Sequence, residues 1–344
     1  MSIKSKFIAA FLLTAAIAIT SPSSAADKRY TLGSLAAGTT PFLVNTAWAK
    51  AVNKYVPGHR IQVSAVGAAT KHSVLVSMGK MDFTMWAPIQ YMLMVRQIGP
   101  FKKIKDGPER TKKIAMLFSY PVGHTHTVVY AESGIKTYQD IKGKKVFMGP
   151  PAGVATRNVA MIIKAMTGYQ AGKDFTQVKM GWAPAQQAFQ DKKFDVWITV
   201  TTAPSPAVQQ LTITNKMRLI SLDKTKFNHP IWKKYARQPG RIIEPVDVSV
   251  YGPNMLNKKP VIMSGTMVGL AVRSDMDTEL VYTMMKAFWG HIDDAHAFAK
   301  SMKKTLTYEN AVAGLAGVVH PGALKFFKEK GIKIPKIFRI KAKK

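Results

Sequence analysis

The sequence has no cysteine. That removes disulfide frameworks, thiolate metal centres and cysteine nucleophiles together. Acidic residues are scarce as well: 19 Asp and Glu stand against 50 Lys and Arg in 344 residues. Acid–base chemistry by paired carboxylates, or a carboxylate cage around a cation, has few residues to draw on. The nucleophile elbow G-x-S-x-G, the zincin H-E-x-x-H and the phosphate loop G-x-x-x-x-G-K-[ST] do not occur, and there is no internal repeat. His124 and His126 share one face of a strand, but with no third ligand nearby they read as a polar strand edge. His291 and His296 are five apart, a poor spacing for a helical chelate. No cofactor, no metal and no enzymatic activity are expected.

What is present is a foldable and very basic chain. Hydrophobic residues make up 47% and aromatics 10%, too many for a disordered polyelectrolyte. The length suits two domains. The formal net charge of +31 points to an anionic partner or neighbourhood. The first residues set the expected compartment. Lys4 and Lys6 precede an apolar run from Phe7 to Ile19, followed by Ser21-Pro22-Ser23-Ser24-Ala25-Ala26. The order basic, apolar, small is that of a secretory signal peptide, with cleavage near Ala25 or Ala26. The run is too short for a bilayer span, which needs about 20 residues, and no later stretch is long and apolar enough. Losing Lys4 and Lys6 lowers the charge to +29. The expected product is exported and periplasmic.

Along the mature chain, short β-type runs alternate with helical ones. Tyr30 to Gly33 reads as a strand. Thr40, placed before Pro41, reads as a helix N-cap, and Leu43, Ala47, Ala51 and Tyr55 give that helix one apolar face. Further strands are expected at 60–66, 83–86, 125–131, 146–148, 178–182, 196–200, 218–222 and 266–272. Helices are expected at 70–78, after Gly153, and after Asp277 as N-cap. Such alternation argues for an α/β fold with mostly parallel sheets. Residues 223–265 carry five prolines and little periodicity, and read as loop-rich surface structure with one short helix near 231–236. Residues 325–344 hold nine Lys or Arg against Glu329 alone. They read as a solvated basic tail, or as a contact for anionic lipid headgroups.

Three loops end an expected strand and open an expected helix: Ser34 to Thr40, Gly67 to His72, and Gly149 to Arg157. In parallel α/β sheets such loops gather beyond the carboxyl ends of the strands, where ligands dock. Their free N–H groups and helix dipoles favour an anion.

The residues then carry a resemblance. Leu32-Gly33-Ser34 to Gly38-Thr39, the turn from Leu75 through Gly79 to Asp82-Phe83, and the run from Ala131-Glu132-Ser133-Gly134 to Lys145-Val146 match it. So do Pro204-Ser205-Pro206-Ala207 and His320-Pro321-Gly322-Ala323. Over about 30–331 the chain resembles the TAXI branch of the solute receptors of tripartite ATP-independent periplasmic (TRAP) transporters. The resemblance implies the periplasmic-binding-protein type of α/β fold. Two lobes with mainly parallel sheets are joined by crossing hinge strands, with lobe I at 27–123 and 271–330, lobe II at 124–270, and a tail at 331–344. It also implies a glutamate-like amino acid or a dicarboxylate as ligand, and delivery to the membrane permease subunits of a TRAP transporter. The chain departs from the family's usual loops, with Gly67-Ala68-Ala69-Thr70-Lys71-His72 and Ala152-Gly153-Val154-Ala155.

The expected site follows. Arg157 serves as the carboxylate fork. Ser34, Thr39, Thr40, Ala69, Thr70 and Thr156 lie on the three loops, with Lys71 and His72 at a helix start. Trp86 walls the pocket, and Thr199 and Thr201 line the second lobe. Two alternatives stand beside this reading. A receptor of the same fold can feed an ATP-driven importer or a sensor kinase. A basic protein can bind a polyanion, although no nucleic-acid module is recognisable and no nucleic-acid partner is expected. A monomer is expected.

Overall fold

The computed structural model describes residues 27–151 and 153–340. The expected leader and its cleavage site lie outside the described residues, as do the last four residues of the basic tail. Strand β1 (Lys28–Gly33) shows the period of its sequence, burying Tyr30 and Leu32 and exposing Arg29 and Thr31. It pairs in parallel with β2 (His59–Ser64) on one side and β3 (Phe83–Trp86) on the other. Helices α1 (Thr40–Tyr55) and α2 (Ala69–Ser77) make the crossovers, and α3 (Pro88–Val95) and α4 (Gly107–Lys112) follow. The N-cap of α1 is Thr39, whose hydroxyl accepts from the Phe42 N–H at 3.4 Å, one residue earlier than Thr40.

The chain then leaves this first half through β4, a continuous strand from Ile114 to Tyr130. The second half contains β5 (Lys145–Phe147), α5 (Val154–Thr167), β6 (Thr176–Val178), α6 (Trp182–Gln190), β7 (Val196–Thr201), α7 (Pro206–Thr214), β8 (Met217–Leu219), α8 (Pro230–Ala236) and β9 (Arg241–Val246). Strand β10 (Val261–Arg273) returns to the first half, which α9 (Thr278–Gly290), α10 (Ile292–Phe298), α11 (Met302–Thr305), α12 (Tyr308–Ala313), β11 (Val318–Val319) and α13 (Pro321–Glu329) complete.

The sheet order is β2-β1-β3-β10-β4-β7-β5-β6. Parallel pairing holds among the outer strands of each half, β2-β1-β3 and β7-β5-β6. The crossing pair β4 and β10 is antiparallel. Apolar packing divides along the same line. One core takes Tyr30 to Val122 and Val268 to Phe327. Two others lie within 128–263. Both crossing strands therefore begin in one core and end in another. Val268 and Leu270 pack in the first core and Met263 in one of the others, so the return strand changes core at 264–267.

Two glycines allow the strands to meet at the crossing. A Cβ on Gly265 would stand 2.6 Å from the Gly123 carbonyl oxygen, and one on Gly123 would stand 2.2 Å from that of Thr201. Gly123 also has φ +94°, which other residues rarely adopt. The register of β4 and β10 slips between Gly265 and Met267, a bulge at the same level.

Two segments depart from expectation. Residues 223–265 are only in part loop-rich surface: the short helix expected near 231–236 is α8, but its Trp232 and Tyr235 are buried, and β9 pairs with β10 along its length. Aromatic burial and a distant strand partner outweigh the prolines there. The segment after α13 is held down as far as residue 340. Phe338 N–H donates to Leu315 O at 3.1 Å, Gly317 N–H donates to Phe338 O at 2.8 Å, and Ile332, Ile334 and Ile337 pack on the first core. Isoleucines between the lysines supply an apolar face that net charge alone hides.

Candidate functional site

A cavity of about 110 Å³ lies between the two halves. All three strand-to-helix loops border it. Leu35 and Thr39 come from the first, Ala68, Ala69 and Thr70 from the second, and Pro150, Gly153, Val154 and Ala155 from the third. Ala87, Ile89 and Gln90 add the start of α3, Trp182 the start of α6, and Val122, Gly265, Thr266 and Val268 the crossing strands. The amino ends of α1, α2, α3, α5 and α6 thus converge on one space. The caps of α2, α5 and α6 are Ala68, Gly153 and Gly181, with no side-chain hydrogen bond. Their first N–H groups are left to other acceptors, and the helix dipoles add positive potential.

The wall is otherwise mostly apolar, with one cation on it, Arg241 at the start of β9. Its guanidinium stacks on the Tyr235 ring at 4.1 Å. Nη2 donates to Gln238 Oε1 at 2.6 Å and Nη1 reaches Gly265 O at 3.4 Å. Nε–H is buried without a partner. No carboxylate pairs with Arg241 among the described residues. Burial above all works against its charged form; the Tyr235 ring favours that form and the nearby Arg157 charge opposes it. A buried cation without a counter-ion is unfavourable, and an incoming anion relieves it. Gln90 is the second free donor. Its Oε1 accepts from the Ala87 N–H at 3.0 Å, which fixes the amide and leaves Nε2 buried and unpaired.

Of the residues expected at the site, Thr39, Ala69 and Thr70 stand on the cavity wall. The others stand elsewhere, each for a local reason. Ser34 is buried and accepts from Asn45 Nδ2 at 3.0 Å. Thr40 lies in the first turn of α1 with its hydroxyl buried and unpartnered. Lys71 faces solvent. His72 packs flat on Gly33, where a Cβ would come within 2.5 Å of its ring, and its Nε2 is 2.7 Å from Val66 O. It braces the second loop from behind. Trp86 belongs to the first core at 1% exposure. Thr156 donates to Pro150 O at 2.6 Å and so closes the third loop on itself. Thr199 and Thr201 are buried in β7 beside the crossing strand. Arg157 is half-buried, with Nη1 unpartnered, and its side chain lies against Gly99 of the first half. It spans the two halves beside the cavity instead of lining it.

Reading the sequence misses Arg241, Gln90 and Trp182. Gln90 and Trp182 carried a usable signal, since each follows a strand end within a few residues. Arg241 did not, because its place depends on the pairing of β9 with β10.

The histidines of β4 are no polar strand edge either. His124 Nε2 is 2.7 Å from Glu244 Oε1. His126 is fully buried, with Nε2 2.9 Å from the Tyr251 hydroxyl and Nδ1 2.9 Å from His124 O. Burial pushes its pKa down to about 4.

Two α/β halves, a pair of crossing strands and a cavity between them are the periplasmic-binding-protein type of fold. The chain belongs to the NMT1-like family, whose model matches residues 32–331. Among solved structures it is similar to a TRAP periplasmic solute-binding protein from Ralstonia eutropha H16 with bound (S)-2-acetolactate. The TM-score is 0.45 and the identity 12%, over 89% of this chain and 86% of that one. It is also similar to the alkanesulfonate-binding protein SsuA from Xanthomonas axonopodis pv. citri bound to MOPS, with TM-score 0.46 and 13% identity over 92% and 100% of the two chains. A third is a TRAP periplasmic solute-binding protein from Sulfitobacter sp. NAS-14.1 with bound β-D-galacturonate, with TM-score 0.46 and 13% identity over 90% and 89%. Among the described residues no helix is long and apolar enough to cross a membrane, and no group of His, Asp or Glu could hold a metal ion.

Proposed function

We propose that this protein is a periplasmic solute receptor that captures a small organic anion between its two halves and releases it unchanged to a membrane permease. The observation that carries the reading is Arg241, a guanidinium without a carboxylate on the wall of an apolar cavity. The convergent helix starts support an anion independently. The two-glycine crossing supports hinge motion, since both halves connect there through single strands. The TAXI resemblance favours a TRAP permease as recipient, and the glutamate-like or dicarboxylate ligand that it implies is among the classes the screen compares. The signal-peptide pattern favours the periplasm, and the basic surface favours rapid capture of anions.

The test is a thermal-shift and calorimetric screen of the purified protein against mono- and dicarboxylates, amino acids and sulfonates. At least one class is expected to bind and raise the melting temperature, with small-angle scattering recording a more compact particle. A protein that binds none of them overturns the reading.

A further inference from the structure

The charge pattern of the cavity is narrower than the class of small organic anions. A zwitterionic amino acid brings an ammonium group that needs an acceptor of opposite charge once water is excluded. Among the described residues no Asp or Glu lines the cavity, and the unpartnered Asn158 Oδ1 on the wall is a neutral acceptor that does not balance the charge. A dicarboxylate brings a second anionic head, and the wall carries one cation. Arg157, the nearest other guanidinium, stands off the wall against Gly99. Thr39, Thr70, Thr125, Asn158 and Thr266 add uncharged polar groups, and most of the remaining surface is apolar, from Leu35, Met85, Ile89, Val200 and similar side chains, which suits an uncharged, largely hydrocarbon body.

Resting on the receptor reading above, we infer that the ligand is a monovalent organic acid, with one carboxylate held by Arg241 on an uncharged, largely apolar body. Amino acids and dicarboxylates of the same length are disfavoured. The edge formed by Nε and Nη2 is the one that pairs bidentately with a carboxylate. Nε–H is unpartnered there, and Nη2 spends one of its two hydrogens on Gln238. Gln90 Nε2 donates to an uncharged oxygen of the ligand where the body carries one.

Calorimetry on the unmodified protein tests this without a variant that could misfold. A series from propanoate to octanoate first finds the best chain length. The 2-amino acid and the α,ω-dicarboxylate of that length are then compared with the plain acid, together with L-glutamate. The plain acid is expected to bind most tightly. The amino acids should be weaker by about a hundredfold or more, because no carboxylate on the wall balances a buried ammonium. The dicarboxylate should be weaker by about tenfold or more. If an amino acid or a dicarboxylate matches or exceeds the plain acid, this inference falls while the receptor reading stands. If no compound binds, both fall.

Discussion

Arg241 and Arg273 lie on paired strands, one at the start of β9 and one at the end of β10. They are treated in opposite ways. Arg273 has carboxylates on two sides, its Nε 3.4 Å from Asp275 and 3.7 Å from Asp82. Asp82 in turn accepts from the Thr31 N–H of β1 at 2.8 Å, so this arginine ties three strands together. Arg241 has an aromatic face and amide oxygens around it and no carboxylate. The partly exposed Arg273 comes with its counter-ions, whereas Arg241 on the cavity wall is left without them. The contrast can be broken at either arginine.

The largest effect is expected from Arg241→Met. Organic-acid affinity should drop by about a thousandfold, the loss of a desolvated charge pair. The melting temperature of the unliganded protein should hold or rise, because an unpaired buried cation is removed. Calorimetry and a thermal melt on the same preparation read both. Retained affinity would mean that the anion is held elsewhere.

Acid is the next strongest perturbation, and it adds a third way of handling a buried polar group. His126 is kept neutral, hydrogen-bonded to Tyr251 inside the second half. Its pKa falls from 6.5 in the free side chain to about 4. Between those values the unfolded chain binds a proton that the folded chain refuses. Stability therefore rises with pH through this window and is lost as pH falls below 6.5. The full loss is about 3 kcal/mol by pH 4. His72 and His320, also lowered by burial, act in the same direction. Urea melts at pH 7.5 and 4.5 should show the fall, and His126→Gln should flatten the slope.

A smaller change is expected from Gln90→Glu. The new side chain keeps an acceptor for the Ala87 N–H and puts a carboxylate on the wall facing the ligand. The affinity ratio of plain acid to 2-amino acid should shift about tenfold towards the amino acid. An unchanged ratio would show that Gln90 does not touch the ligand.

Much of this fold is legible in the sequence because its signals are local. The alternation in β1, the N-cap Asp277 with its bond to Leu280 N–H, and the strand-to-helix loops all fall within a few residues. The location of the cavity follows from those loops. Its chemistry does not. Arg241 acquires its position on the wall from Tyr235, Gln238 and Gly265, and from pairing with a strand beginning twenty residues later, none of which has a period or spacing of its own. Several hydroxyls on the expected loops bond within the fold. Thr156 bonds back to Pro150 O and Ser34 to Asn45, so side chains that could greet a ligand instead hold the loops in shape.

The smallest effect expected, on the opposite arm of the comparison, comes from Arg273→Met. Its partners are partly exposed and its contacts are longer than an ideal ion pair, with 30% of its own side chain exposed. Solvent screening reduces the loss to about 1 kcal/mol. Asp82 keeps the Thr31 N–H, so no buried carboxylate is orphaned. A urea midpoint lowered at constant slope, with organic-acid affinity within about twofold of the parent, is the result that separates a strand tie from a ligand site. Because Arg273 lies on the strand that also lines the cavity at Thr266 and Val268, a large loss of affinity in this variant would mean that β10 transmits strain from its end to the cleft. The two arginines would then be parts of one device, and the absence of a carboxylate at Arg241 would no longer mark the ligand by itself.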